Sequence, residues 1–319
     1  MTARSPNPAF WNDKKVVVTG GAGFLGRPTV ELLGELGADV SVPRSRDFDL
    51  TDPVACVEAL AGNQIVLHLA ATVGGIGFGR RNPALLIQDN LAMGLNVFKA
   101  CHRLGVERLV AASSVCAYPK HSPVPFKEED LWNGYPEETN APYGLAKKML
   151  IVLSQAYRDQ YGLDSCVPVI ANLYGPGDDF SLEDSHVVAA MIRKYVEAAA
   201  SNEPEVVLWG TGTPSREFLF VDDAAQALAL AAEHADSSEP FNVGTGIETK
   251  IAELAEVISK AAGYRGKTVW DTTRPDGQPV RFLDVSRARR TIGFVAQTSL
   301  REGLAQTIES FRKREELSA

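Results

Sequence analysis

A tyrosine and a lysine four residues apart, Tyr143 and Lys147, are the residues whose spacing most directly predicts chemistry. On a helix, such side chains lie on one face with Cβ atoms about 5–6 Å apart. An ammonium there should stabilise a phenolate and lower the pKa of the tyrosine from about 10. Tyr143 would then donate a proton to a carbonyl that accepts hydride, and Ser114 would bind the same oxygen. This spacing is common in helices, so its weight depends on what precedes it.

A glycine-rich turn near the start of the chain predicts a nucleotide-binding site. The apolar run at 16–19 has the composition of a strand, and an apolar pattern typical of a helix follows the turn. Gly20, Gly23 and Gly26 allow a tight turn, close approach to a pyrophosphate and close packing of helix on strand. The phosphates would lie at the positive N-terminus of the helix. An ordinary glycine-rich turn is the alternative, but the strand before it and the helix after it disfavour that reading.

Composition indicates a soluble enzyme. The chain has 319 residues, of which 45% are hydrophobic and 23% charged, enough for one large or two moderate domains. The net charge of −8 and the lack of Lys/Arg runs disfavour a nucleic-acid surface. Four cysteines without CxxC spacing disfavour disulfides and a zinc site, and fit a reducing cytoplasm. The sequence contains no apolar stretch of about 18 residues, so no membrane segment is predicted. Residues 1–13 are expected to form a loose arm.

Strands and helices alternate along the chain, which predicts a Rossmann-type doubly wound parallel sheet with helices on both faces. The predicted strands are 16–19, 39–42, 64–69, 108–112 and 166–170. The predicted helices are about 53–61, 83–104 and 143–161. Active groups should gather at the carboxyl ends of the strands. The segments that fall there are the glycine turn, 72–75, 114–116 and 172–176.

Several further segments, spread in order over nearly the whole chain, carry a more specific pattern. They are Val73–Ile76, Ser113–Lys120, Pro142–Lys147, Asn172–Pro176, Ser185–Val187, Trp209–Phe218, Asn242–Gly246 and Arg274–Gly277. With the glycine turn, they resemble the GDP-L-fucose synthase family of the extended short-chain dehydrogenase/reductases. The glycine turn and the Tyr143–Lys147 pair mark only the superfamily, whereas the segments with Cys116, His186 and Trp209 are more particular.

The resemblance implies an epimerase-reductase. A ketone at carbon 4 of the sugar acidifies the protons on carbons 3 and 5, and NADPH then reduces carbon 4. In the family a cysteine and a histidine supply the acid and base, and the matching positions are Cys116 and His186. Thiols and imidazoles, with usual pKa values near 8.5 and 6.5, both exchange protons near neutrality. Taken alone, Cys116 would be read as a small buried hydrophobe, and His186 as a helix-start or core residue.

By the same resemblance, the nucleotide half of the substrate should bind the C-terminal part of the chain. The implied substrate-binding residues are Lys194, near the diphosphate, Trp209, Arg216 and Asp276. Arg216 can pair with phosphate through two hydrogen bonds, and Trp209 offers a flat apolar surface. The alternatives are core packing for Trp209 and a surface ion pair with Glu217 or Asp222 for Arg216.

The predicted cofactor is NADP(H), with NAD(H) possible. NAD-selective folds usually place an acidic residue after the second strand, whereas Arg44 and Arg46 here suit a 2′-phosphate. Ala22 stands where the family often carries arginine, which removes one phosphate contact. Asp49 and Leu50 would flank the adenine. The other residues expected around the cofactor are Gly20, Gly23, Phe24, Leu25, Gly26, Leu69, Ala70, Ala71, Ala112, Lys147, Asn172 and Leu173.

The resemblance also implies two domains and a cytoplasmic homodimer. The NADP-binding Rossmann domain would comprise residues 14–173 plus 217–245. A smaller α/β domain, 174–216 plus 246–319, would bind the nucleotide sugar, with the cleft between the two. Helices 83–104 and 143–161 of each subunit would form a four-helix bundle in the dimer.

Three hypotheses for the function follow. The first is 3,5-epimerisation and 4-reduction of GDP-4-keto-6-deoxymannose. The second is another nucleotide-sugar epimerase or reductase of the superfamily, for example a 4-epimerase with bound NAD, which would not need both Cys116 and His186. The third is a non-catalytic NADP-binding protein, which Ser114, Tyr143 and Lys147 disfavour. Few positions fix the nucleotide base, the sugar and the product stereochemistry, and they include pocket loops such as 120–140 and 177–185.

Overall fold

The computed structural model describes residues 3–74, 76–181, 185–274 and 276–316. Its strands are β1 Lys15–Thr19, β2 Asp39–Ser41, β3 Ile65–His68, β4 Arg108–Ala111, β5 Ser113–Ser114, β6 Ser165–Cys166, β7 Pro168–Ile170, β8 Asn172–Tyr174, β9 Glu205–Trp209, β10 Ser215–Arg216, β11 Phe218–Phe220, β12 Phe241–Val243, β13 Thr249–Lys250, β14 Lys267–Asp271 and β15 Val280–Arg281. Its helices are α1 Pro8–Trp11, α2 Gly26–Glu35, α3 Pro53–Leu60, α4 Ile76–Arg81, α5 Pro83–Leu104, α6 Ala141–Tyr161, α7 Val187–Ser201, α8 Val221–His234, α9 Ile251–Ala261, α10 Ser286–Thr291 and α11 Leu300–Glu316. Two 3-10 turns cover Val115–Ala117 and Glu128–Trp132.

The central sheet has the strand order β2-β1-β3-β4-β6, and all its pairings are parallel. The apolar runs of β1, β3 and β4 are buried because helices cover both faces. From β1 the chain moves first to β2 on one side and then to β3 on the other. This reversal opens a crevice beyond the carboxyl end of β1, where the glycine turn lies. The predicted Rossmann-type fold is confirmed.

The predicted strand 166–170 is wrong in one respect, because the chain divides it into β6 and β7. β6 pairs with β4 in the central sheet, whereas β7 pairs with β5 and β12. Pro168, the first residue of β7, has no N–H to continue the ladder of β6. The split matters for the site, since β5 carries Ser114 and β7 is its direct neighbour.

The prediction of a loose N-terminal arm is also wrong for residues 4–11. Asn7 caps α1 through a hydrogen bond from Ala9 N, and Pro8 occupies the first turn. Trp11 is fully buried, and its Nε1 donates to Glu233 Oε1 at 2.6 Å. Arg4 N donates to the carbonyl of Gly293. The segment is therefore packed on the body of the protein.

The core falls into two hydrophobic clusters. The first surrounds the central sheet and includes α5, α6 and α8. The second lies among α7, α9 and α11, with Tyr195 and Phe311 as its largest fully buried side chains beside Tyr174. The exact domain boundaries given above stay a prediction.

Two long helices pack against each other on one side of the sheet. α5 has the predicted limits, and α6 begins at Ala141, just ahead of the predicted residue, since Pro142 suits the first turn. Each ends at a glycine with a left-handed backbone, Gly105 (φ 67°) and Gly162 (φ 69°). In the described part of the chain, no helix has the length and apolar character to cross a membrane.

Candidate active site

The glycine turn forms an open cradle between β1 and α2. Gly20 has φ 72°, and a Cβ there would lie 2.7 Å from the backbone nitrogen of Ala70. A Cβ on Gly26 would lie 2.1 Å from the carbonyl oxygen of Gly20. Gly23, by contrast, is exposed. The turn thus brings bare backbone and the N-terminus of α2 to the surface beside Leu69–Ala71, and these residues fit a bound pyrophosphate.

The predicted adenine side of this cradle carries exposed cations. Arg44 and Arg46 both lie exposed after β2, and Arg46 Nε is 3.2 Å from Asp47 Oδ2. Asp49 accepts two hydrogen bonds from Thr51, and these lower the pKa of its carboxyl group. Leu50 is buried.

One cation beside the turn was missed by the sequence reasoning. Arg27 follows the last glycine, and its Nε donates to the carbonyl oxygen of Ala22 at 3.0 Å. Its guanidinium therefore lies beside Ala22, the residue that stands where an arginine was expected. Arg27 is the second residue of α2 and could have been found by its position, but the contact depends on its side chain, which folds back over the turn.

Tyr143 and Lys147 lie one helical turn apart at the start of α6, as predicted. Lys147 Nζ is 5.9 Å from the centre of the Tyr143 ring and donates to the carbonyl oxygen of Ala112 at 3.0 Å. Lys147 is buried, and burial lowers the pKa of its ammonium group to about 8. Ser114, at the end of β5, lies near Tyr143.

The prediction that Lys147 lowers the Tyr143 pKa is wrong. Burial raises the pKa of Tyr143, the proximity of Cys116 adds to the rise, and a hydrogen bond with Ser114 opposes it. Removal of the phenolate from water is the largest effect on this pKa, and the Lys147 ammonium donates its hydrogen bond to Ala112. The phenol is consequently neutral at physiological pH, which is the form that a proton donor must have.

Cys116 lies on the 3-10 turn that follows β5. Its backbone N–H donates to Ser114 Oγ at 3.2 Å, and its side chain is half-buried. The other cysteines, Cys56, Cys101 and Cys166, are buried, and burial raises the pKa of each thiol. Cys116 is thus not the small buried hydrophobe of the alternative interpretation.

His186 immediately precedes α7, as the helix-start interpretation expected, and its side chain is 56% exposed. Its Nδ1 is 3.8 Å from Oδ1 of the buried Asp178, and that carboxylate raises the pKa of the imidazole. Among the described residues, no hydrogen bond joins His186 to Cys116. Residues 182–184 of the predicted pocket loop lie outside the described residues, as do Gly75 and Pro275 of the predicted segments.

Three of the four predicted substrate residues lie on β9 or contact it or the loop that follows it. Trp209 ends this strand and is 67% exposed, so the alternative of core packing is wrong. The Arg274 guanidinium stands 5.1 Å from the centre of its ring. Asp276 accepts hydrogen bonds from the backbone and hydroxyl of Thr211. Lys194 Nζ donates to the carbonyl oxygen of Val207 at 2.8 Å, and burial lowers the pKa of its ammonium group.

Arg216 does not form the ion pair of its alternative interpretation. Its Nη1 donates to the carbonyl oxygen of Ser215, and neither Glu217 nor Asp222 lies within ion-pair distance in the described structure. Glu217 is buried and accepts from the backbone N–H groups of residues 245, 246 and 283. Burial, followed by the nearby charge of Arg281, lowers the pKa of Arg216 to about 10.

Comparison with known proteins identifies the family. The NAD dependent epimerase/dehydratase family matches residues 16–244. The probable GDP-L-fucose synthase 1 of Oryza sativa subsp. japonica is 42% identical over 314 residues, which cover 96% of this chain and 95% of that protein. The chain belongs to the GDP-L-fucose synthase family.

Two further comparisons agree with this family. The GDP-L-fucose synthase of Escherichia coli (strain K12) is 39% identical over 310 residues, 93% of this chain and 96% of that protein. A crystal structure of a GDP-L-fucose synthetase from Naegleria fowleri, bound to NADP, has a TM-score of 0.87 and 27% identity. That similarity covers 96% of both chains.

For this GDP-L-fucose synthase family member, two residues near the site were not found by sequence reasoning. The Glu217 carboxylate accepts hydrogen bonds from the loop 245–246 and from Leu283, two residues beyond β15. Asn172 Nδ2 donates to the backbone carbonyl of Glu217. Arg281 donates to Asn172 Oδ1 and lies beside Cys116. Both depend on the register of β10 with β15, which spacing along the chain does not reveal.

Proposed function

We propose that this protein is an epimerase-reductase that converts GDP-4-keto-6-deoxymannose to GDP-L-fucose. The observation that carries the proposal is the proximity of a half-buried thiol, Cys116, to the neutral phenol of Tyr143. Reduction of a ketone needs only the phenol with Ser114 and Lys147. An additional proton-exchanging group at the same site is what epimerisation next to that ketone requires.

The proposed steps assign one proton transfer to each group. Cys116 and His186 act at carbons 3 and 5, where one group removes a proton and the other returns one to the opposite face. Each removal leaves an enolate that the carbon 4 oxygen stabilises. When bound, NADPH supplies the hydride for carbon 4. Tyr143 then donates its phenolic proton to the carbon 4 oxygen, which Ser114 also binds, and Lys147 supports the phenolate that remains.

The cofactor proposed is NADPH. The open glycine cradle accepts a pyrophosphate, and Arg44 and Arg46 lie exposed on the side where a 2′-phosphate would bind. Arg27 adds a cation at the turn, where Ala22 lacks one. The Naegleria fowleri relative described as bound to NADP supports this choice.

Replacement of Arg44 and Arg46 by alanine together tests the cofactor. Each charge-assisted hydrogen bond to a phosphate contributes about 1.5–3 kcal/mol, so the NADPH dissociation constant should rise by at least tenfold while that of NADH changes little. Isothermal titration of both cofactors measures this, with Arg274→Ala as a control that removes a charge elsewhere. Equal losses for NADPH and NADH would show that these arginines do not bind the 2′-phosphate.

The substrate, in this proposal, lies along Trp209, Arg216, Lys194 and Asp276, with its diphosphate toward the cations. The protein acts as a cytoplasmic homodimer and does not bind nucleic acid. Leu91 and Leu95 of α5 and Val152 of α6, all exposed on the two packed helices, supply an apolar dimer surface.

The direct test is incubation of the protein with NADPH and GDP-4-keto-6-deoxymannose, with the product sugar identified by NMR. GDP-L-fucose is the expected product. Tyr143→Phe should bind NADPH as the wild type does but lower the rate of reduction by about 10²–10⁴-fold. A wild-type product with the original configuration at carbons 3 and 5 would make the protein a plain reductase.

A further inference from the structure

We infer that Arg281 is a positioning residue that holds Cys116 in its thiolate form for proton removal, an inference that rests on the proposed epimerase function. Arg281 ends β15, which pairs with β10, and it comes from a part of the chain remote from Cys116 in sequence. Its Nη1 lies 3.9 Å from Cys116 Sγ, within the range of a hydrogen bond to sulfur. The proposed mechanism assigns no other role to this arginine.

The guanidinium of Arg281 is held in place by a second contact. Its Nη2 donates to Asn172 Oδ1 at 3.0 Å, and Asn172 is itself oriented through its Nδ2, which donates to the carbonyl oxygen of Glu217 at 3.0 Å. Glu217 also accepts from the N–H of Leu283, two residues beyond Arg281. Glu217 therefore holds Asn172 through its backbone carbonyl and the segment just beyond Arg281 through its buried carboxylate.

Arg281 lacks a compensating anion. Among the described residues, no carboxylate lies within ion-pair distance of it, and its buried Nε has no hydrogen-bond partner. The groups that face this location are Tyr143 of α6, on the side of Cys116, and Arg216 of β10, which is the register partner of Arg281 and carries a like charge. The carboxylate of Glu137 acts on Arg216, where it opposes part of the lowering of the pKa. A half-buried cation without an anionic partner is costly, and a Cys116 thiolate, with its sulfur 3.9 Å from Nη1, is the anion that the site itself can form.

The chemistry explains why such a pair suits this reaction. A thiolate, not a thiol, removes a proton from carbon. In that step the C–H bond breaks, the S–H bond forms, and the electron pair passes into the enolate next to carbon 4. A cation fixed beside the sulfur favours the thiolate before the step, whereas Tyr143 supplies no positive charge.

Alkylation of Cys116 by iodoacetamide tests this inference without any sugar substrate. The rate follows the thiolate fraction, and the three buried cysteines are poor competitors, with Cys116→Ser giving their background. The measurement is the midpoint of the pH–rate profile for the wild type, Arg281→Met and Arg281→Lys. Arg274→Met is a control that removes one charge beside Trp209.

We expect Arg281→Met to move the midpoint upward by about one pH unit, which near neutral pH slows alkylation about tenfold. Arg281→Lys should restore most of the wild-type profile, and Arg274→Met should leave it unchanged. With GDP-4-keto-6-deoxymannose in D₂O, Arg281→Met should lose deuterium exchange at neutral pH and regain it at higher pH, with KM nearly unchanged.

An unmoved alkylation midpoint in Arg281→Met would overturn the inference, and a rise in KM with an unmoved midpoint would assign Arg281 to diphosphate binding beside Arg216. Arg281→Gln gives the same comparison if the methionine variant fails to fold. If the wild type exchanges no deuterium but the midpoint still moves, the proposed function fails while the contact between Arg281 and Cys116 stands.

Discussion

Asp178 sets the protonation of His186, one of the two groups proposed to exchange protons with the sugar. Its Oδ1 is 3.8 Å from His186 Nδ1 and raises the pKa of the imidazole above its usual value of about 6.5. The imidazolium therefore persists above that pH and is lost as the pH rises through the raised pKa. A general acid at this position thus keeps its proton to a higher pH than an ordinary imidazole does.

Asp178→Asn should lower the pH at which His186 titrates, because the amide removes the carboxylate charge. The imidazole C–H proton shift in NMR measures this midpoint, and the spectrum of His186→Asn assigns the signal. His68 serves as an internal control, since burial lowers its pKa to about 3 and its signal should not move between pH 5 and 9. An unchanged His186 midpoint in Asp178→Asn would show that another group sets its charge.

At the residue scale, motif spacing predicted which groups come together but not their environments. The i,i+4 rule placed Tyr143 and Lys147 correctly because it depends only on local helix geometry. The pKa of Tyr143 was predicted in the wrong direction because burial, which only the fold decides, raises it, and the proximity of Cys116 adds to the rise. Arg281 was not found at all, since its contact with Cys116 depends on long-range strand pairing.

The junction of β1 with α2 forms the glycine turn that is proposed to hold the cofactor pyrophosphate. A Cβ on Gly26 would lie 2.1 Å from the carbonyl oxygen of Gly20 and 2.5 Å from Cα of Gly21. These are backbone atoms, so the helix would have to move away from the turn. Gly34, in the same helix, has no atom within 4 Å of its ideal Cβ position.

Gly26→Ala should therefore destabilise the protein by about 1–3 kcal/mol and weaken NADPH binding. Gly34→Ala, the matched control, should leave binding unchanged and stabilise the protein by up to about 1 kcal/mol, because alanine favours helix. Thermal unfolding with and without NADPH measures both effects. Equal behaviour of the two variants would mean that close packing at Gly26 is not needed.

At the scale of elements, hydrophobic periodicity predicted the long helices well. The limits of α5 match because Pro83 begins the pattern and Gly105 ends it. The division at Pro168 and the burial of Trp11 were not predicted. Each depends on a partner far away in sequence, β12 for the first and Glu233 for the second.

The exposed apolar side chains of α5 and α6 concern the oligomeric state of the whole molecule. Leu91 and Leu95 are four residues apart on α5 and are 36% and 38% exposed, and Val152 of α6 is 41% exposed. If these helices form the proposed dimer surface, Leu91→Glu with Leu95→Glu should convert the dimer to a monomer. Sedimentation velocity measures the change, and Val54→Glu, on the exposed face of α3, is the control. A wild type that sediments as a monomer would contradict the proposed dimer.

Whether both epimerisation and reduction occur in this molecule is tested most directly by solvent deuterium. In D₂O with NADPH and GDP-4-keto-6-deoxymannose, the wild type should incorporate deuterium at carbons 3 and 5 of the sugar. Cys116→Ser and His186→Asn, which leave Tyr143 and Lys147 in place, should each lose that incorporation by about 10²-fold or more. If the wild type incorporates no deuterium at either carbon, the protein is not a 3,5-epimerase and Cys116 has no role in proton exchange.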